Sequence, residues 1–385
     1  MTQLVFWFHV VSILPPFQAD RENSAVFAAH AAWNERIRQT GGWTGGDGCH
    51  SIDLGGGKSL WLFADSWIGQ IEGGVASGRR KTMRMVNQAV GIVDSATGRF
   101  EYLIPANDAK GFWKPDDPAG KEWYWPGDAV RHEGKLWIFL HRLAPKPDGD
   151  PGFAFRQVGT DLFVVEEPPS GKSWTSEWLS QAKRVGATQT RGPFLGSAAA
   201  VEGPYLYGFT QIDEPKPKPF TRPMGVARLP LAKLSTLSQT DPIPWEFQGK
   251  DGKWESDPAL SVVVIADGAP EMSLRKVPGI SGWVLVYMQL GMGDRAMVRR
   301  APSVEGPWTK SRLIGRTAPD ANAKRDGVFS YSVKIHPEVQ IEPGRANPPG
   351  QFLLTWASNS GDLGVHKRRP DLYFPRFTVV DLGEK

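Results

Sequence analysis

The sequence predicts an all-β fold, a five-bladed β-propeller with a short N-terminal helix, on three observations. Five similar hairpins recur along the chain at a spacing of roughly 60 to 80 residues, the length of a four-stranded blade with its loops. Gly (43) and Pro (32) are spread throughout, so they punctuate short strands rather than mark a disordered tail. No Pro/Ser-rich linker divides the chain, so residues 20–385 are expected to form one domain. A pair of β-sandwiches would explain alternating strands but not five similar hairpins.

The first charged residue is Asp20. Before it runs an apolar stretch from Leu4 to Leu14, followed by Pro15-Pro16, too short to span a bilayer. It has the length of a signal-peptide core but no basic n-region and no A-x-A cleavage site. Residues 1–19 therefore read either as a cleaved export signal or as a β-strand that closes on the last blade. Export would place the protein outside the cell or in the periplasm; the closing strand would leave it cytoplasmic.

A helix follows. Asn23 and Ser24 are good caps, Val26, Phe27, His30, Trp33 and Ile37 share one face, and Gly41-Gly42 stops it. Then the hairpins begin. Each has a small or acidic first strand, a turn, and a strongly apolar second strand. The first strands are Gly45 to Ile52, Pro126 to Arg131, Leu195 to Val201, Pro270 to Arg275 and Tyr331 to Glu338. The second strands are Leu60 to Phe63, Leu136 to Leu140, Tyr205 to Phe209, Trp283 to Tyr287 and Phe352 to Trp356.

Composition narrows the function. A net charge of +4 without any Lys/Arg block gives nucleic-acid binding no support. One cysteine, Cys49, permits no intrachain disulfide and reads as a small buried packing residue. The seven His show no metal-ligand spacing, so no metal centre and no cofactor are expected, although a cation bound in the channel stays open. Sixteen Trp must fill core or line a surface for something flat and partly apolar, such as a sugar ring. Nothing asks for an integral membrane segment, and a monomer is expected.

In a propeller the first strand of each blade lines the central channel. That geometry would carry Asp47, Asp128, Ser197, Glu271, His336 and Glu338 toward one axis. Asp65 ends the second strand of the first hairpin, on the strand antiparallel to that of Asp47. Facing carboxylates raise one another's pKa, which suits a general acid beside an ionised partner. Glycoside hydrolysis uses such a pair. Trp43, Trp67 and Trp125 flank these acids and are expected at the funnel mouth, stacked on sugar faces. The bland readings are turn caps for Asp47 and Asp128, salt bridges with Lys334 or Arg275 for Glu271 and Glu338, and an internal hydrogen bond for His336.

The segment Gly42-Trp43-Thr44-Gly45-Gly46-Asp47-Gly48, with Leu60-Trp61-Leu62-Phe63-Ala64-Asp65-Ser66-Trp67-Ile68-Gly69, resembles the opening blade of a bacterial propeller family catalogued as a domain of unknown function. Endo-D-arabinanases, which cut the D-arabinan of mycobacterial cell walls, are assigned to this or a closely related group. Met85-Val86-Asn87-Gln88, Trp125-Pro126-Gly127-Asp128, Gly306-Pro307-Trp308 and Lys334-Ile335-His336-Pro337-Glu338 are similar to later blocks of that family. The resemblance spans about residues 40 to 380 and implies that Asp47 and Asp65 are the catalytic pair. Around them Trp43, Trp67, Asn87, Trp125, Asp128, Glu271, His336 and Glu338 are expected to bind substrate. Ala64 departs from the pattern, where Gly is expected, and implies a reshaped strand end. The function expected is hydrolysis of a cell-surface or furanose-containing polysaccharide. A non-catalytic carbohydrate-binding propeller and a structural or protein-binding propeller are the alternatives.

Overall fold

A computed structural model describes residues 25–106, 110–149, 153–213 and 222–383. The export-signal and closing-strand readings of residues 1–19, and the capping roles of Asn23 and Ser24, lie outside the described residues.

Five antiparallel sheets follow one another in chain order. The first blade holds β1 (Gly41–Gly55), β2 (Lys58–Glu72), β3 (Arg79–Val86), β4 (Ala89–Asp94) and β5 (Arg99–Leu103), in the order β1-β2-β4-β5 with β3 on the far end of β2. The second holds β6 (Trp123–His132), β7 (Lys135–Pro145), β8 (Phe155–Glu166) and β9 (Lys183–Gln189). The third holds β10 (Ala199–Glu202), β11 (Tyr205–Gln211), β12 (Met224–Pro230), β13 (Glu246–Gln248) and β14 (Trp254–Glu255). The fourth holds β15 (Met272–Arg275), β16 (Trp283–Met288), β17 (Arg295–Ala301) and β18 (Arg312–Arg316). The fifth holds β19 (Val328–His336), β20 (Gln351–Ser360) and β21 (Arg376–Asp381). The five hairpins read from the sequence are the first two strands of each blade, and the fold is the five-bladed β-propeller.

The apolar second strands read as unbroken hydrophobic runs because both of their faces are covered. In β16, Val284, Val286 and Met288 pack toward the fifth blade, while Trp283, Leu285 and Tyr287 pack toward the third. This is the strand's period of two, with a neighbouring blade on each side. One cluster fills each interface, including that between the fifth blade and the first, where Trp61 and Phe63 meet Leu353, Phe374 and Phe377. Among the described residues no strand is shared between the first and last blades, so this apolar contact closes the ring.

The N-terminal helix is shorter than its apolar spacing predicts. It covers only Ala31–Arg36, capped by His30, whose Nδ1 accepts from the Trp33 backbone N–H. Val26 is 52% exposed and bridges Arg316 at the outer edge of the fourth blade instead. A free sheet edge offers backbone partners that an isolated helix of this length cannot match. Trp33 and Ile37 are fully buried, as their shared face requires. Trp33 stacks on Phe377 at 5.7 Å and its indole N–H donates to the Ile341 carbonyl (2.9 Å). No described helix is long and apolar enough to cross a membrane.

Candidate active site

The glycine run before Asp47 shapes its strand. Pairing of β1 with β2 shifts register between Trp43 and Gly46, between Gly46 and Gly48, and again before His50. Such bulges bend a strand and re-aim a side chain. Gly45 has a φ of +128°, and a Cβ there would meet the Tyr373 carbonyl at 2.7 Å. The close approach lets the Gly46 N–H donate to that carbonyl (2.8 Å). Buried Arg80 fixes the same crossing by donating to the carbonyls of Thr44 (2.7 Å), His366 (2.6 Å) and Pro370 (2.9 Å). Tyr373 is thereby brought onto Asp47.

Asp47, Asp65 and Glu271 line one cavity of about 470 Å³ at the end of the channel, a size typical of small-ligand sites, roughly 300 to 1,000 Å³. Asp47 Oδ2 accepts hydrogen bonds from the hydroxyls of Tyr331 and Tyr373, the latter at 2.7 Å, while its Oδ1 is buried with no described partner. Burial pushes the Asp47 carboxyl up, and the two tyrosines pull it partly back. Asp65 accepts from the Asn87 amide (2.8 Å) and the Trp125 indole N–H (2.7 Å), both on Oδ1. Burial and the charge of Asp47 push Asp65 up to about 7. Glu271 also rises to about 7, through burial first and against the pull of Lys334. Ala64 is part of β2 and lines the cavity where the register of β1 on β2 slips.

Aromatic side chains arch over these carboxylates. From Trp125, the partner of Asp65, ring contacts run to Phe155 (4.6 Å), Phe153 (6.5 Å), Phe329 (5.8 Å) and Tyr331 (5.5 Å), the partner of Asp47. The arch joins the second blade to the fifth. Trp67 lines the cavity too, with its indole N–H donating to His366 Nδ1 (3.2 Å). Trp123, also on the lining, has a buried indole N–H with no described partner.

Five of the residues expected at the channel or its mouth lie elsewhere. Trp43 is 1% exposed and sits in the core against Phe63, Tyr102 and Phe374, because the bulge after it turns the strand. Asp128 is fully buried below the cavity, where Arg275 grips both oxygens (2.7 and 2.8 Å) and the backbone N–H groups of Ala129 and Ala199 donate to it (2.9 Å each). Burial alone would raise its pKa; Arg275 and His50 hold it far below the usual range. His336 stacks on Trp61 at 4.1 Å and is held by Ser51 (2.7 Å) and Thr355 (2.8 Å), inside the interface of the first and fifth blades. Glu338 follows β19, close to Ser51 and Arg275, and does not line the cavity. Ser197 is buried, with its hydroxyl donating to the Phe209 carbonyl (3.3 Å). The sequence reading missed Tyr331, Tyr373, Trp123 and the three phenylalanines: Trp123, Phe155, Phe329 and Tyr331 stand near the starts of β6, β8 and β19, and Phe153 and Tyr373 in loops, with no local motif to mark them as cavity residues.

Among the described residues no group of three or more His, Cys, Asp or Glu is placed to hold a metal ion.

The chain is similar in structure to a Bacteroides ovatus protein assigned only provisionally as a hydrolase. That match has a TM-score of 0.66 at 15% identity, over 94% of this chain and 93% of that one. Weaker likenesses include an exo-1,5-alpha-L-arabinanase from a bovine ruminal metagenomic library, at TM-score 0.40 and 9% identity over 87% of this chain and 92% of that one. Another is a GH43_1 enzyme from Xanthomonas citri complexed with xylose, at TM-score 0.43 and 13% identity over 90% and 93%. The first likeness speaks for the fold alone, and the two weaker ones carry no argument. No curated protein matches the chain. Residues 30–380 match the profile of the domain of unknown function DUF5005, and the chain belongs to that family.

Proposed function

We propose that the protein is a glycoside hydrolase acting on a furanose-containing or other cell-surface polysaccharide, with Asp47 as base or nucleophile and Asp65 as general acid. The observation that carries this reading is the pair itself. Two carboxylates from adjacent strands share one aromatic-rimmed cavity, in environments that favour different protonation states. Asp47 receives two tyrosine hydroxyls on one oxygen and keeps the other free, which suits an ionised group that accepts a proton or attacks. Asp65 receives both of its N–H donors on Oδ1, leaving Oδ2 to carry a proton, and its pKa of about 7 keeps that proton near neutrality. Glu271 is a third carboxylate on the same cavity and takes substrate hydroxyls. Trp67 and Trp125 supply apolar ring surface, and Trp123 an N–H donor.

The test is a polysaccharide panel followed by Asp47→Asn and Asp65→Asn. On the substrate found, each variant should lose about a hundredfold or more in kcat. An aryl glycoside of the same sugar separates the roles, because a good leaving group needs no proton. Asp65→Asn should keep most of its activity on that substrate, and Asp47→Asn should not. Near wild-type rates for both variants on the polymer would end this reading.

A further inference from the structure

A buried lysine stands on the inner strand that carries Tyr331, and neither the acid nor the base step uses it; burial lowers its pKa, against the pull of Glu271 and Asp128. Lys334 is on β19, three residues after Tyr331, and is 0% exposed. Its strand is pinned between two inner strands at this level. The Ser332 hydroxyl donates to the Gly48 carbonyl (2.9 Å), and the Ile335 N–H donates to Ser273 Oγ (3.2 Å). Lys334 Nζ makes no hydrogen bond to any described residue.

The titratable and charged groups facing it come from four blades. The first supplies Asp47, Cys49 and His50; the second, Asp128 and His141; the fourth, Glu271 and Arg275; β19 itself, His336. Most of these are already matched or neutral. Arg275 and Asp128 form a two-oxygen ion pair. Burial lowers His50 to about 4 and His141 to about 3, and holds His336 well below its usual value, so all three are uncharged near neutrality. Burial pushes the Cys49 thiol up, which keeps it protonated. That leaves Lys334 facing Asp47 and Glu271. A buried ammonium with no compensating charge is strongly unfavourable, so it persists where nearby anions balance it.

We propose that Lys334 is a positioning residue, an internal counter-cation on the propeller axis that balances Asp47 and Glu271 from below and leaves their cavity faces open to a neutral sugar. The purpose assigned to it rests on the proton-transfer reading of the cluster. The test does not, because it needs no substrate.

The full chain, labelled with ¹³C at Asp and Glu side-chain carboxyls and ¹⁵N at Lys Nζ, is titrated by NMR as wild type, Lys334→Met and Lys334→Arg. Asp47→Asn and Glu271→Gln spectra assign the signals. In Lys334→Met the Asp47 and Glu271 midpoints should move upward by about one pH unit or more, since an opposite charge has been removed. Lys334→Arg should restore most of the shift. In the wild type, Lys334 should be charged at pH 7. Unmoved midpoints in a folded Lys334→Met variant would overturn the proposal. So would a neutral Lys334 at pH 7 in the wild type, a measurement that stands even if Lys334→Met does not fold. A panel that yields no substrate ends the hydrolase reading and leaves this result intact.

Discussion

Asp47 and Asp128 share a local signature, a glycine followed by an aspartate on an inner strand, yet their surroundings send them in opposite directions. Asp128 meets Arg275 and backbone N–H groups and ties the second, third and fourth blades together as a permanent anion. The side chains that donate to Asp47 are two tyrosine hydroxyls, with no arginine among them, and Asp65 faces the charge of Asp47. The pH dependence follows from the sign. The folded-state pKa of Asp65, about 7, lies above its ordinary value of 3.8. Its contribution to stability is therefore fully present below about pH 4 and is lost as pH rises through 7, where the fold must hold a buried charge. Asp65→Asn removes that cost. At pH 8 the variant should be more stable than wild type by on the order of 2 kcal/mol, and at pH 4 the two should be about equal, measured by urea denaturation at both pH values. A site residue whose removal stabilises the fold only at high pH is held in place for chemistry rather than for packing.

At the scale of strands and loops, bulges place the carboxylates and the aromatic arch sets what reaches them. The slips in β1 turn Asp47 toward the axis and turn Trp43 away from it, so one irregularity accounts both for the acid that lines the cavity and for the tryptophan that does not. The arch from Trp125 to Tyr331 spans two blades, and Phe329 is its contact on the fifth blade. It is half-buried at the cavity rather than part of an interface cluster. Phe329→Ala should raise KM for the identified substrate about fivefold to tenfold, the worth of one aromatic contact near 1 to 1.4 kcal/mol. It should leave kcat within about twofold. Steady-state kinetics checks the split, and an equal loss in kcat would place Phe329 in orienting the reacting bond instead.

For the whole molecule, the question is how the ring closes. The described residues close it by packing, with Trp33 of the N-terminal helix buried against Phe100 and Phe377 across the first and fifth blades. Trp33→Ala should destabilise the protein by about 3 to 5 kcal/mol, the usual cost of deleting a buried tryptophan, read from chemical denaturation. If closure depended on other contacts, the loss would stay near 1 kcal/mol.

The five hairpins, their order and the apolar second strands were all legible in the sequence, because strand periodicity and turn residues are local properties and the blades repeat them. That Asp47, Asp65, Glu271, Trp67 and Trp125 line the cavity was legible for a related reason: each sits on or beside one of the first two strands of its blade, whose place in a propeller is known from its rank; Asn87 was legible only through the family resemblance. Whether an inner-strand acid faces the cavity or an arginine was not legible, since Arg275 lies 147 residues from Asp128 in the chain. The tyrosines on Asp47 come from 284 and 326 residues away. The burial of Trp43 depends on bulge geometry, and the surroundings of Lys334 on what four blades bring to one axis. Local sequence determines which elements form; long-range packing alone decides which charges meet, because electrostatics depends on distance in space and not along the chain.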